Sequence, residues 1–221
     1  MNYEFGSNLE ALAHARLPRT EAGASNVMDG ELFNARLKPV HTARDGAASV
    51  IDFWREAGPA RWFAKQPEFD RLFRERFLAL HETAARDGLK AWRESAEGTL
   101  ALLLLLDQYP RNSFRGTTRM YATDTLALGL ADAAIKAGHD TAIEAPLRLF
   151  IYLPFSHSER LSDQDRAVAL CQYLGEPSIA HAEGHRDIIR RFGRFPHRNP
   201  ILGRTMTTEE RAFLDEGGFA G

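Results

Sequence analysis

Apolar residues along most of this chain recur at intervals of three and four, the spacing of one face of an α-helix. Val50, Ile51 and Trp54 stand a turn apart on a short helix that stops near Gly58 and Pro59. Pro67 opens a longer one. Its inner face is Phe69, Leu72, Phe73, Phe77, Leu80 and Ala84, its outer face carries Arg71, Arg74, Glu75 and Glu82, and Gly88 ends it. A third helix is expected from Lys90 to Leu106, where Leu100 to Leu106 is apolar on every side and must be central, with Pro110 forbidding continuation and Asp107 to Gly116 as a polar loop. The alanine- and leucine-rich stretch from Thr117 to Ala137 makes a fourth, closed by Gly138. A fifth, around Ala142 to Tyr152, has Pro146 in its first turn. Ser162 with Asp165 reads as a capping box for a sixth helix through Leu174, Pro177 begins a seventh that ends near Phe192 and Gly193, and Thr207 with Glu210 caps the last.

No stretch alternates with period two over a convincing length; Leu147 to Leu153 is short, flanked by prolines and equally good as buried helix. The fold class is therefore all-α, helix packed on helix, with about seven to nine helices. Before Ala47 the helical pattern is missing. Pro18, Gly23, Gly30, Pro39 and Gly46 punctuate residues 1–46, which read as an N-terminal extension to a single all-helical domain over residues 47–221.

Composition narrows the function classes. At 221 residues with 44% apolar content the chain can bury a substantial core. Its 28 basic and 30 acidic residues leave a formal charge of −2, so no global field attracts nucleic acid or an anionic membrane. The single cysteine, Cys171, excludes an internal disulfide framework and fits a reducing cytoplasm. No basic start followed by an apolar stretch resembles a signal peptide, and the apolar run Leu100 to Leu106 falls well short of the ~20 residues a membrane span needs. The expectation is a cytoplasmic protein with no membrane partner.

Chemistry concentrates in His185 to Arg204, where Arg186, Arg190, Arg191, Arg194, Arg198 and Arg204 accompany His185 and His197 and face one acid, Asp187. Arginines at a helix end cap free carbonyls and meet the negative end of the helix dipole. Forked guanidinium groups also suit a carboxylate or phosphate, with Phe192 and Phe195 as walls. Both readings stand. Asp107, emerging from the most apolar helix, needs donors, which Arg111, Arg115 or Arg194 could supply, either as a buried ion pair or as part of a catalytic group. His157, Glu159, His185, Asp187 and His197 carry metal-ligating atoms, but no HExxH or Glu-x-x-His pattern organises them, and no glycine-rich phosphate loop is present, so neither metal nor cofactor is expected.

Several longer strings, DFW (Asp52 to Trp54), WFAKQPEFD (Trp62 to Asp70), DQYPRNSFRG (Asp107 to Gly116), YLPFSHSE (Tyr152 to Glu159), HRDIIRRFGRFPHRNPILGR (His185 to Arg204) and TTEERAFLDEGG (Thr207 to Gly218), resemble the bacterial family known as domain of unknown function 924. The resemblance runs from about Ser49 to Gly218, with Gln66, Phe155 and Met206 departing from the usual residues at their positions. It implies a tetratricopeptide-like fold, antiparallel helix pairs in a right-handed array, although no repeat of 34 residues is visible in the chain. It implies no activity.

Two functions follow as expectations. One is a protein that binds a small anionic ligand or a peptide through a pocket of Arg111, Asn112, Arg115, Arg194, Phe195, Arg198 and Asn199. The other is an enzyme with His185 or His197 as acid or base, Arg194 and Arg198 as an anion clamp, and Asp107 orienting them. Nucleic acid is a third reading, against which the near-neutral total charge counts. Deleting residues 1–40 is expected to leave the remaining domain folded, because the extension offers few apolar anchors; a thermal melt of the shortened chain checks this, and a large drop in melting temperature would make the extension integral.

Overall fold

A helix that is apolar on every side has to be surrounded, and Leu100 to Leu106 is: none of its residues is more than 3% exposed. In the computed structural model, which describes residues 43–221, this stretch belongs to the helix α4 (Ala96–Leu103) and to the π turn that follows it, Leu104–Gln108. The expected extension over residues 1–46 lies almost wholly outside the described residues. Helix α1 (Ala43–Ala57) packs on α4 and is followed by the short α2 (Pro59–Trp62); α3 (Pro67–Ala85) packs on the π turn and on α5 (Tyr109–Ser113). After a 3-10 turn at Thr118–Tyr121 come α6 (Asp124–Lys136), the short α7 (His139–Ala142) and α8 (Ala145–Ser156), with α6 and α8 against each other and both touching α4. The chain then continues through α9 (Leu161–Cys171) and α10 (Ser178–Phe192), consecutive neighbours of α8, to α11 (Thr208–Asp215). The fold is all-α, with no strand among the described residues, and none of their helices is long and apolar enough to cross a membrane.

The core follows the sequence pattern. Phe53 and Trp54 from α1 meet Phe69, Phe73 and Phe77 from α3 in a cluster of rings with centroids 5.2 to 6.0 Å apart, and Phe150 of α8 stands edge-on to Trp54 at 5.3 Å. A second, smaller cluster of Ile188, Ile189 and Phe195, with Phe192, Phe213 and Phe219 against it, holds the C-terminal segment to α10.

Several expected boundaries are corrected; the fourth helix, for one, begins at Asp124 and not at Thr117, after the 3-10 turn at Thr118–Tyr121. The third helix does not run unbroken from Lys90: Lys90–Glu94 is a 3-10 turn, Ser95 caps α4 by accepting from the Gly98 amide at 3.1 Å, and position 98 has to be glycine because a Cβ there would lie 2.1 Å from the Trp92 carbonyl oxygen. Nor does Pro110 end the helix, and Asp107 to Gly116 is not a loop throughout. The π turn lets the helix pass its proline: Tyr109 donates to Leu104, and the two carbonyls that Pro110 cannot serve find side chains instead. His81 Nδ1 donates to the Leu105 oxygen at 2.9 Å, and Thr123 Oγ1 donates to the Leu106 oxygen at 2.5 Å. Finally, Ser162 caps nothing; α9 begins at Leu161, and Asp163 bonds Ser158 and Arg160. The capping box at Thr207 and Glu210 is formed, and Gly193 closes α10 at φ 69°, the left-handed conformation that favours glycine.

Thr123→Val keeps the shape of the side chain and removes the donor from the buried Leu106 carbonyl. It should cost about 1–3 kcal/mol of stability in urea unfolding; an unchanged midpoint would mean that the π turn does not depend on this bond.

Candidate functional site

The π turn places Asp107 with no exposure to solvent. Its Oδ1 takes a hydrogen bond from His157 Nδ1 at 2.8 Å and lies 3.0 Å from Arg111 Nη1, while Oδ2 accepts from Gln108 at 2.6 Å. Burial alone would raise its pKa, but Arg111, His157 and Gln108 together hold it at about 2. Arg111 reaches further, donating to both carboxylate oxygens of Asp124 at 2.9 and 3.1 Å. Asp124 in turn receives a long contact, 3.5 Å, from Arg198 Nη1. One chain of charges thus links the π turn, α5, the start of α6 and the C-terminal segment.

His157 caps the C-terminus of α8 and faces a cavity of about 160 Å3. The cavity lies where the two apolar clusters meet. Trp62, Phe63 and Leu153 line it from the main core, Phe195 and Phe219 from the smaller cluster, and Gln108, Arg111, Asn112, Arg115, Tyr121, His181, His185, His197 and Arg198 give it its polar wall. His181 and His185, a turn apart on α10, have ring centroids 4.3 Å apart, and His185 Nδ1 donates to the His181 carbonyl. The Arg198 guanidinium lies 4.6 Å from the rings of both Tyr121 and Phe195 and donates to the His157 carbonyl at 2.9 Å. Its Nε is buried without a partner among the described residues, as is His197 Nδ1.

Burial keeps these imidazoles neutral. It lowers His181 to about 4, His185 well below the ordinary value, and, with Arg198 alongside, His197 to about 3. His157 is also lowered, by burial and then Arg111, against the pull of Asp107. Arg198 itself is lowered, chiefly by desolvation.

The structure brings most of the expected residues to this cavity and separates two. Arg111, Asn112, Arg115, Phe195, Arg198, His185 and His197 line it, with Asp107 directly beneath. Arg115 and Asn112 share a partner in Asp70, at 2.7 Å each. Arg194 turns away: it grips the buried Glu210 with both prongs at 2.6 and 2.9 Å and donates to the Thr205 carbonyl, so it secures the cap of α11 and does not reach Asp107. Asn199 is buried outside the lining and donates towards Met206 Sδ. His157 is the residue that pattern reading undervalued, because its partner lies fifty positions away and no local motif joins them.

The basic string is not an open strip of charge. Arg186 pairs with Glu183, Arg190 with Asp165 and Asp187, Arg191 with Glu209, Arg194 with Glu210, Arg198 with Asp124, and Arg204 with Glu159. Among the described residues no group of three or more histidine, cysteine, aspartate or glutamate side chains is placed to hold a metal ion.

An all-helical domain with one buried charge chain leading to a polar and aromatic cavity is the class these observations define. The chain belongs to the family described as bacterial protein of unknown function, DUF924, which matches residues 50–218. The solved structure of a protein of unknown function from Agrobacterium tumefaciens is 56% identical over 80% of this chain and all of that one, with a TM-score of 0.78. No curated protein matches the chain.

The neutral histidines set the response to acid. In the unfolded chain they take up protons near pH 6.5, whereas in the fold His181 and His197 do so only at about 4 and about 3, so stability is lost as the pH falls from about 7 towards 4. Asp107 and Glu210, both held at about 2, add a further loss below pH 4. Melting temperatures across this range check the decline, and His181→Gln combined with His197→Gln should flatten its upper part; an equal slope in that variant would show these imidazoles to be open to solvent.

Proposed function

We propose that the chain binds a small carboxylate or comparable anion in this cavity, with Arg198 as the group that holds it. The observation that carries the reading is the state of the Arg198 guanidinium: desolvated, 4.6 Å from the rings of both Tyr121 and Phe195, and met by an acid, Asp124, only at 3.5 Å. A positive charge buried that far is stabilised by a negative group that can accept its N–H donors in good geometry, and a ligand carboxylate supplies one. With the histidines neutral, the arginines alone provide the positive charge.

Cavity size supports a small ligand over a peptide, since about 150 Å3 is enough for a molecule the size of benzene. The paired arginines of the basic string weigh against nucleic acid, and the engagement of Arg194 by Glu210 removes one half of the clamp that an enzyme using Arg194 with Arg198 requires. The tetratricopeptide-like arrangement of the helix pairs belongs to the same proposal, supported by the consecutive packing of α8, α9 and α10.

Thermal shift with acetate, benzoate and phosphate tests it. A ligand present at a hundred times its dissociation constant adds about 2.7 kcal/mol to stability, and the shift should disappear in Arg198→Lys, which keeps the charge but not the fork. Equal shifts in the two proteins, or none with any small anion alongside a shift with peptides, would overturn the proposal.

A further inference from the structure

Asp107 and His157 do more than fill space beneath the cavity, because together they decide which nitrogen of the imidazole carries the lone pair. A carboxylate can only accept, so Nδ1 of His157, 2.8 Å from Asp107 Oδ1, has to be the nitrogen that bears hydrogen. In a neutral ring Nε2 is then unprotonated. Nε2 has no hydrogen-bond partner among the described residues, and the ring lines the cavity. Arg111 and Gln108 fix the carboxylate from its other sides, so the ring cannot turn over without breaking a buried charged bond.

We propose that His157 is a general base, and Asp107 its positioning residue, for a proton on oxygen, either a hydroxyl group of the small molecule in the cavity or a water beside it. This rests on the small-ligand reading above. In the step, the O–H bond breaks and its electron pair stays on oxygen, while the proton bonds to the Nε2 lone pair. The imidazolium that results keeps its Nδ1–H on Asp107, whose negative charge balances it, and the proton returns from Nε2 when the O–H bond re-forms. Arg198 bonds the His157 carbonyl through Nη2, so the group expected to hold the ligand's anionic end is tied to the residue that carries the base. Of the other cavity histidines, His185 also has Nδ1 fixed, but on a backbone carbonyl, which offers an imidazolium no full negative charge.

Diethyl pyrocarbonate, which acylates unprotonated imidazole nitrogens, tests this with peptide mapping by mass spectrometry. At pH 7 His157 should react about tenfold faster than His81, whose ring is sealed in the core with Nδ1 on the Leu105 carbonyl and which reports that the protein stays folded. Asp107→Asn presents an amide that can donate to Nδ1 and release the other tautomer, so His157 in that variant should lose most of this advantage. Nitrogen-15 NMR of the unmodified protein's histidines gives a reading that does not depend on the variant's folding: His157 should be neutral at pH 7 with hydrogen on Nδ1. A ring protonated at pH 7, hydrogen on Nε2, or a rate no greater than that of His81 overturns the proposal, and an unchanged rate in a folded Asp107→Asn overturns the role of Asp107. Benzoate added during the reaction separates the two readings. Protection of His157 supports both, whereas fast modification without protection leaves the base in place and removes the small carboxylate.

Discussion

A carboxylate cut off from water survives as an anion only where charge and donors are built around it, and the surroundings of Asp107 come from several parts of the chain. Arg111 reaches it from one turn later, Gln108 from the next residue, and His157 from the end of α8. Through Arg111 the same network extends to Asp124 at the start of α6 and from there to Arg198 in the C-terminal segment. Removing any member strands a charge that the others were arranged to meet. The groups that lock these segments together are therefore also the groups that polarise the cavity, and neither role can be altered without disturbing the other.

Much of the fold was legible because it is written in local patterns. The stripe on α3, the wholly apolar stretch of α4, the cap at Thr207 and the left-handed stop at Gly193 each involve residues within a turn or two of one another. The passage through Pro110 was not legible, since it depends on His81 and Thr123, far away in sequence, accepting the task of satisfying two carbonyls. The site divides in the same way. Asp107 announces its need for donors by following seven apolar residues, and Arg111 lies at helical distance from it; His157 does not advertise its partner at all. Arg194 illustrates the opposite failure. Its proximity to Phe195, His197 and Arg198 in the chain suggested a shared purpose, but Gly193 redirects the backbone and Glu210 captures the side chain.

Local charge density is likewise a poor guide to surface potential. The basic string carries six arginines, and each has an acid nearby, some on the same helix as Glu183 and Asp187 are, others from distant segments as Asp165 and Glu210 are, although Asp124 meets Arg198 only at 3.5 Å. Positive charge that would dominate an extended peptide is spent in holding α9, α10, α11 and the C-terminal segment together, in keeping with a chain whose totals nearly cancel.

The π turn has one more consequence. Each residue added to or taken from a helix changes the direction of everything beyond it by about 100°. The wider turn between Leu104 and Gln108 acts as a phase adjuster: the leucines before it point into the apolar core, while Arg111 and Asn112 after it point to the polar cavity, on what is otherwise a continuous rod. The cavity's chemistry is thus set by an angular offset in the backbone as much as by side chains, and a chain with the same residues but one fewer position in this turn would aim its arginine elsewhere.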